Sequence, residues 1–65
     1  MTYDLEPLRR AHGGSWRAFR ETVRTDTPTL RRVEEHGLSE AQADAFAIRC
    51  GFHPAEIWGI AWLSS

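Results

Sequence analysis

Residues 15–37 read SWRAFRETVRTDTPTLRRVEEHG, and the spacing inside this stretch decides the fold. Trp16, Phe19 and Val23 recur at i, i+3 and i+7. At 100° per residue they fall within an arc of about 60°, the apolar stripe of an amphipathic helix. Ser15 stands where an N-cap belongs, so a helix is predicted from Ser15 to about Arg24. Thr25, Asp26 and Thr27 then offer three capping side chains in a row. Pro28 suits the first turn of a second helix, because the amide it lacks has no partner there. Leu30 and Val33 face inward from that helix, Pro28, Arg31 and Arg32 face away, and Gly37 is a candidate left-handed cap. About nine residues, a turn of three or four, and about nine more are the proportions of a helix-turn-helix.

The flanks extend the same pattern. Upstream, Leu5 and Leu8 around Pro7 predict a short helix stopped by Gly13 and Gly14. Downstream, Leu38 acts as a staple, and Ser39 with Gln42 forms a capping box for a helix over about 40–50. That helix presents Ala43, Phe46, Ala47 and Cys50 on one face; Gly51 ends it and Phe52 can fold back over its last turn. His53, Pro54 and Glu56 open a last helical tail over about 54–63, carrying Ile57, Trp58, Ile60, Ala61, Trp62 and Leu63. The expectation is one all-α domain over residues 1–65, a compact bundle of four to five short helices. Its core is expected to hold Trp16, Phe19, Val23, Leu30, Val33, Leu38, Phe46 and Trp58.

Composition narrows the classes of function. One cysteine, Cys50, permits no internal disulfide, and His12, His36 and His53 lie too far apart along the chain to suggest a zinc pattern. Cys50 reads as a small buried hydrophobe, His53 as a helix cap, and His12 and His36 as surface residues. No apolar run approaches the ~20 residues that span a bilayer, and the charged opening from Met1 to Glu6 is no secretory signal, which implies a cytoplasmic protein without a membrane partner. Neither a glycine-rich phosphate loop nor a nucleophile with a paired base is visible. The expectation is therefore a non-enzyme with no cofactor, no metal and no small-molecule substrate.

Net charge is −1, but it is unevenly spread. Residues 9–32 hold seven arginines against Glu21 and Asp26, and residues 33–65 hold Arg49 against five carboxylates. A basic half of this kind is the footprint of a surface that meets phosphates; a plain solvated face with salt bridges to Glu21, Glu34 and Glu35 is the alternative. Arg17, Arg20 and Arg24 border the apolar stripe of the first helix of the pair. The corner from Thr25 to Pro28 points helix-start amides toward a phosphate. From the second helix, Arg31 or Arg32 can read guanine, and Thr27 or Thr29 can touch phosphate or a thymine methyl. Glu35 lies on the same outward face one turn later. The candidate DNA contacts are thus Arg17, Arg20, Arg24, Thr25, Thr27, Thr29, Arg31 and Arg32.

These features resemble the lambda-repressor/Cro-type helix-turn-helix domains. The stretch Gly37-Leu38-Ser39, Ala43-Asp44, Ala47, Gly51, His53-Pro54 and Trp58, with the Gly14-Ser15-Trp16 start, is similar to small regulators of actinobacteria and their phages. The likeness covers about two-thirds of the chain. It implies sequence-specific double-stranded DNA binding and transcription regulation without a cofactor. Such domains usually carry Ala one residue after the Phe19 position and Gly in the turn, where this chain has Arg20 and Arg24.

The tail holds more apolar groups than one side of a short helix can bury, which marks an interaction surface. Ile60, Trp62 and Leu63 are expected to make a homodimer contact on a palindromic operator, the alternative being that the tail folds back over the core. A second reading is a helix-turn-helix scaffold whose partner is a host protein. A recombination-directionality factor is a third; its winged form needs a β-hairpin that this sequence lacks.

Overall fold

The computed structural model describes residues 2–64. Among these the chain forms six helices: α1 Glu6–His12, α2 Trp16–Val23, α3 Thr27–His36, α4 Glu40–Arg49, α5 Pro54–Trp58 and α6 Ile60–Leu63. The architecture is an all-α bundle in which α4 packs on α2 and α5, and α1 packs on α5.

Local hydrogen bonds set most boundaries. Ser15 accepts from the Ala18 amide at 3.1 Å, Asp26 from Thr29 at 2.8 Å and Ser39 from Gln42 at 3.2 Å. The Gln42 side chain returns the bond to the Ser39 amide, completing the capping box. His53 caps α5 through Nδ1, which accepts from the Ala55 amide at 3.0 Å. Of the three capping candidates before Pro28, Asp26 takes the N-cap position. Its carboxyl lies below the ordinary aspartate range, chiefly through the Thr29 hydroxyl and amide bonds.

The predicted tail is two helices rather than one. Gly59 adopts φ +55° with ψ −127°, a conformation that costs a side-chain-bearing residue heavily, and the chain breaks there between α5 and α6. Gly37 also departs from a left-handed cap: φ is +88° but ψ is 172°, so the chain leaves α3 fully extended. That geometry delivers Leu38 into an antiparallel bridge with Tyr3, with mutual amide–carbonyl bonds of 2.9 and 2.7 Å. A Cβ on Gly37 would lie 2.9 Å from the Thr2 Cβ and 3.2 Å from the Tyr3 carbonyl, so backbone conformation and space both exclude a side chain.

The core comprises Leu8, Phe19, Val23, Val33, Leu38, Ala43 and Ala47, with Leu5, Leu30 and Phe46 at its edge and Tyr3 beside them. Tyr3 is buried between two indoles, its ring centroid 5.5 Å from Trp58 and 5.3 Å from Trp62. The Trp58 indole N–H donates to the Asp4 carbonyl at 2.9 Å, tying the N-terminal segment to α5. Trp58 is half-buried rather than fully interior, and so is Cys50, whose thiol pKa is raised by burial.

Two expected placements fail. Trp16 is 37% exposed. It sits in the first turn of α2, where only its edge meets Phe19, while the Arg9 guanidinium stacks over its ring at 4.6 Å. His12 is half-buried instead of on the surface. Its Nδ1 accepts from the Gly14 amide at 3.2 Å, which assigns the proton to Nε2. Nε2 therefore donates to the Thr22 hydroxyl at 3.1 Å, and that hydroxyl donates to the Ala18 carbonyl at 2.9 Å.

One long-range tie has no sequence signal. Arg49, in the last turn of α4, donates through Nη1 to the Val23 carbonyl at 2.7 Å. A cation at the C-terminus of α2 satisfies an orphan carbonyl and complements the helix dipole. Because Arg49 is solvent-exposed and water screens the bond, the Arg49→Met variant is expected to lose about 1 kcal/mol, less than the usual range for charge-assisted bonds. The readout is a lower urea midpoint at unchanged slope, partly restored by Arg49→Lys.

Candidate nucleic-acid interface

The α2-turn-α3 segment places Arg17, Arg20, Thr27 and Arg31 around one concavity of about 470 Å³, together with Trp16, Leu30 and Glu34. The helical period explains the grouping. Trp16, Arg17 and Arg20 share one side of α2, and Thr27, Arg31 and Glu34 recur at i, i+4 and i+7 along α3. Leu30 supplies the apolar floor. Arg20 reaches over the turn, and its Nη1 donates to the Thr27 hydroxyl at 2.7 Å. An arginine replaces the small residue expected at this position, and it acts as a clasp between the helices instead of pushing them apart.

The remaining candidates are more scattered. Arg24 is exposed on the turn, in the left-handed conformation at φ +57° that a glycine adopts more cheaply. Arg32 is exposed on α3 outside the cleft, near enough to favour the Asp26 carboxylate electrostatically. Thr25 and Thr29 are half-buried, and their amides serve the turn: Thr25 donates to the Arg20 carbonyl and Thr29 to Asp26. Arg17 also pairs with Glu21 at 3.5 Å, an exposed i, i+4 contact that a phosphate can displace at little cost.

At the corner from Thr25 to Pro28 the Asp26 carboxylate accepts from the Thr29 amide and Pro28 has no amide to donate, so the helix start carries its own anion. Positive charge at this corner comes from Arg20 and Arg24.

Charge along α3 divides the surface. A second, smaller concavity of about 260 Å³ is lined by Asp4, Glu6, Glu34, Glu35 and His36, with Leu5, Trp16 and Gly37. Trp16 and Glu34 border both concavities, so they form the ridge between a basic cleft at the start of α3 and an acidic one at its end. Trp16, Leu30 and Glu34 were not among the sequence candidates for this site; the i, i+3, i+4 spacing that unites them with Arg17, Arg20, Thr27 and Arg31 was the available signal.

In the last helix, Trp62 folds back on Tyr3 and is half-buried, as the alternative reading of the tail expects. Ile60 and Leu63 are 80% and 73% exposed. No helix among the described residues is long and apolar enough to cross a membrane. No protein-family model matches the chain, and neither a curated protein nor a solved structure is detectably similar to it.

Proposed function

We propose that the protein is a sequence-specific DNA-binding transcription regulator of the Cro or repressor kind, docking through α2 and the first two turns of α3. The observation that carries this reading is the gathering of Arg17, Arg20 and Arg31 around one cleft at the α2–α3 corner. In helix-turn-helix recognition the N-terminal residues of the second helix meet base edges while the first helix crosses the backbone. The charge division along α3 suits that geometry. Arg31 and Thr27 occupy the half that would enter the major groove, whereas Glu34 and Glu35 stand at the end that would leave it. The resemblance to small phage and actinobacterial regulators supports the same conclusion, as does Arg24, which extends positive charge onto the turn.

The test is fluorescence-polarisation binding to random-sequence duplex DNA between about 50 and 200 mM salt. Micromolar binding that weakens steeply with salt is the expected result, and it would justify selection of an operator from a randomised pool. Absence of binding at the lowest salt would overturn the proposal. A protein partner would then be the better reading, favoured by the exposed Trp16 ring and by Glu34 inside the cleft.

A further inference from the structure

We propose that the face shared by α4 and α6 docks a basic amphipathic helix of a partner protein, with an apolar side chain against Trp62 and cationic side chains against Glu40 and Asp44. A depression of about 470 Å³ lies there, lined by Glu40, Ala41, Asp44 and Trp62. It has no lining residue in common with the basic cleft. Glu40 and Asp44 stand at i, i+4 on the exposed side of α4, and Ile48 continues that stripe one turn later at 59% exposure. Along α6, Leu63 follows Trp62 and is 73% exposed, whereas Ile60 lies on the opposite side of this single turn from Trp62.

The depression therefore sets the Trp62 ring and Ala41 beside two carboxylates, an apolar patch with a charged border. Neither carboxylate has a basic partner among the described residues. The only arginine in residues 33–65 is Arg49, and it is committed to the Val23 carbonyl. Charge selects the occupant. Nucleic acid has the same sign as the rim. A second copy docked two-fold on this face would set Glu40 and Asp44 close to their own equivalents, and like charges across an interface are costly. A helix with leucines at i, i+4 and i+7 and arginines on its flanks satisfies both the centre and the rim.

The probe is a fluorescein-labelled helical peptide of leucine and arginine with that spacing, compared with a peptide in which glutamate replaces every arginine. Both are titrated with the full chain, without DNA, and polarisation and backbone amide shifts are followed. The arginine peptide is expected to bind at least about tenfold more tightly than the glutamate peptide, with shifts confined to residues 40–48 and 58–63. Glu40→Lys/Asp44→Lys should reverse the preference, and Leu63→Asp should weaken both peptides; all three sites are exposed, so the thermal melt should hold near wild type. Arg20→Ala should leave peptide binding unchanged whether or not it alters DNA binding, which separates this face from the α2–α3 cleft. Equal binding of the two peptides, or binding undiminished in Glu40→Lys/Asp44→Lys, would overturn the proposal. So would sedimentation equilibrium that shows a dimer abolished by Leu63→Asp, since a second copy would then cover the face.

Discussion

Phe19→Ala is expected to leave the chain largely unfolded at 25 °C. Phe19 is fully buried in α2, edge-on to the His12 imidazole at 5.5 Å and close to Trp16 at 6.1 Å. Truncating a buried phenylalanine to alanine costs about 3–5 kcal/mol, the lost transfer energy plus the residual cavity. The usual per-residue range gives a domain of this length about 3–10 kcal/mol, and a chain this short, with little surface to bury, belongs in its lower part, where one substitution consumes most of the total. The His12–Thr22–Ala18 hydrogen-bond chain packs on the same ring, and a cavity there would loosen the α1–α2 junction as well. Far-ultraviolet circular dichroism should show lost helicity and no cooperative melt, whereas Phe19→Leu should retain a melt at a lower midpoint. A near-wild-type melt for Phe19→Ala would mean that the core is centred elsewhere.

What the sequence made legible was local. The caps at Ser15, Ser39 with Gln42, and His53 involve residues two or three apart, and propensity, spacing and hydrogen-bond chemistry all point the same way. Phe19, Val23, Leu30 and Val33 followed from the helical period in the same manner. Tyr3 did not: its burial depends on a bridge to Leu38 and on two indoles from the far end of the chain, contacts with no short-range signature. Arg49 and Val23 are likewise joined only once α4 packs on α2. Trp16 misled because a stripe identifies the side of a helix but not how far the core extends along it. At the first turn of α2 the core has already ended, and the ring meets Arg9 instead.

The candidate site shows the same division. Arg17 with Arg20 and Thr27 with Arg31 could each be paired from periodicity, being three or four residues apart on one helix, but that the two pairs meet across the turn depends on the packing of the helices. Which of three adjacent side chains caps the helix start was not legible: Asp26 caps α3 and directs its charge at the Thr29 amide, so the positive charge of that corner comes from Arg20 and Arg24. The exposed apolar tail was legible as a surface, but Trp62 was not separable from Ile60 and Leu63 until Gly59 was seen to break the helix.

Arg20→Glu/Arg31→Glu is expected to abolish duplex binding at about 150 mM salt. Each neutralised phosphate contributes to the counterion release that dominates affinity, and reversing two arginines replaces attraction by repulsion at the centre of the cleft. Single truncations should separate the roles. Arg31→Ala on α3 is expected to cost about 1–3 kcal/mol and to relax selectivity at one base pair, while Arg17→Ala on α2 should weaken all sequences alike and lower the salt slope by about one. Arg20 needs a further control, because its guanidinium also clasps Thr27. Thr27→Val removes the clasp, together with any contact of the Thr27 hydroxyl to DNA, and leaves the Arg20 charge, so a loss in Arg20→Ala greater than that in Thr27→Val assigns Arg20 to the phosphate. Arg10→Glu, outside the cleft and beside Glu6, is the charge-matched reference for each single reversal, Arg20→Glu or Arg31→Glu, and should bind within about threefold of wild type. If a single cleft reversal and Arg10→Glu weaken binding alike, attraction is set by overall charge and not by this cleft. The α2–α3 corner would then lose its claim to face DNA.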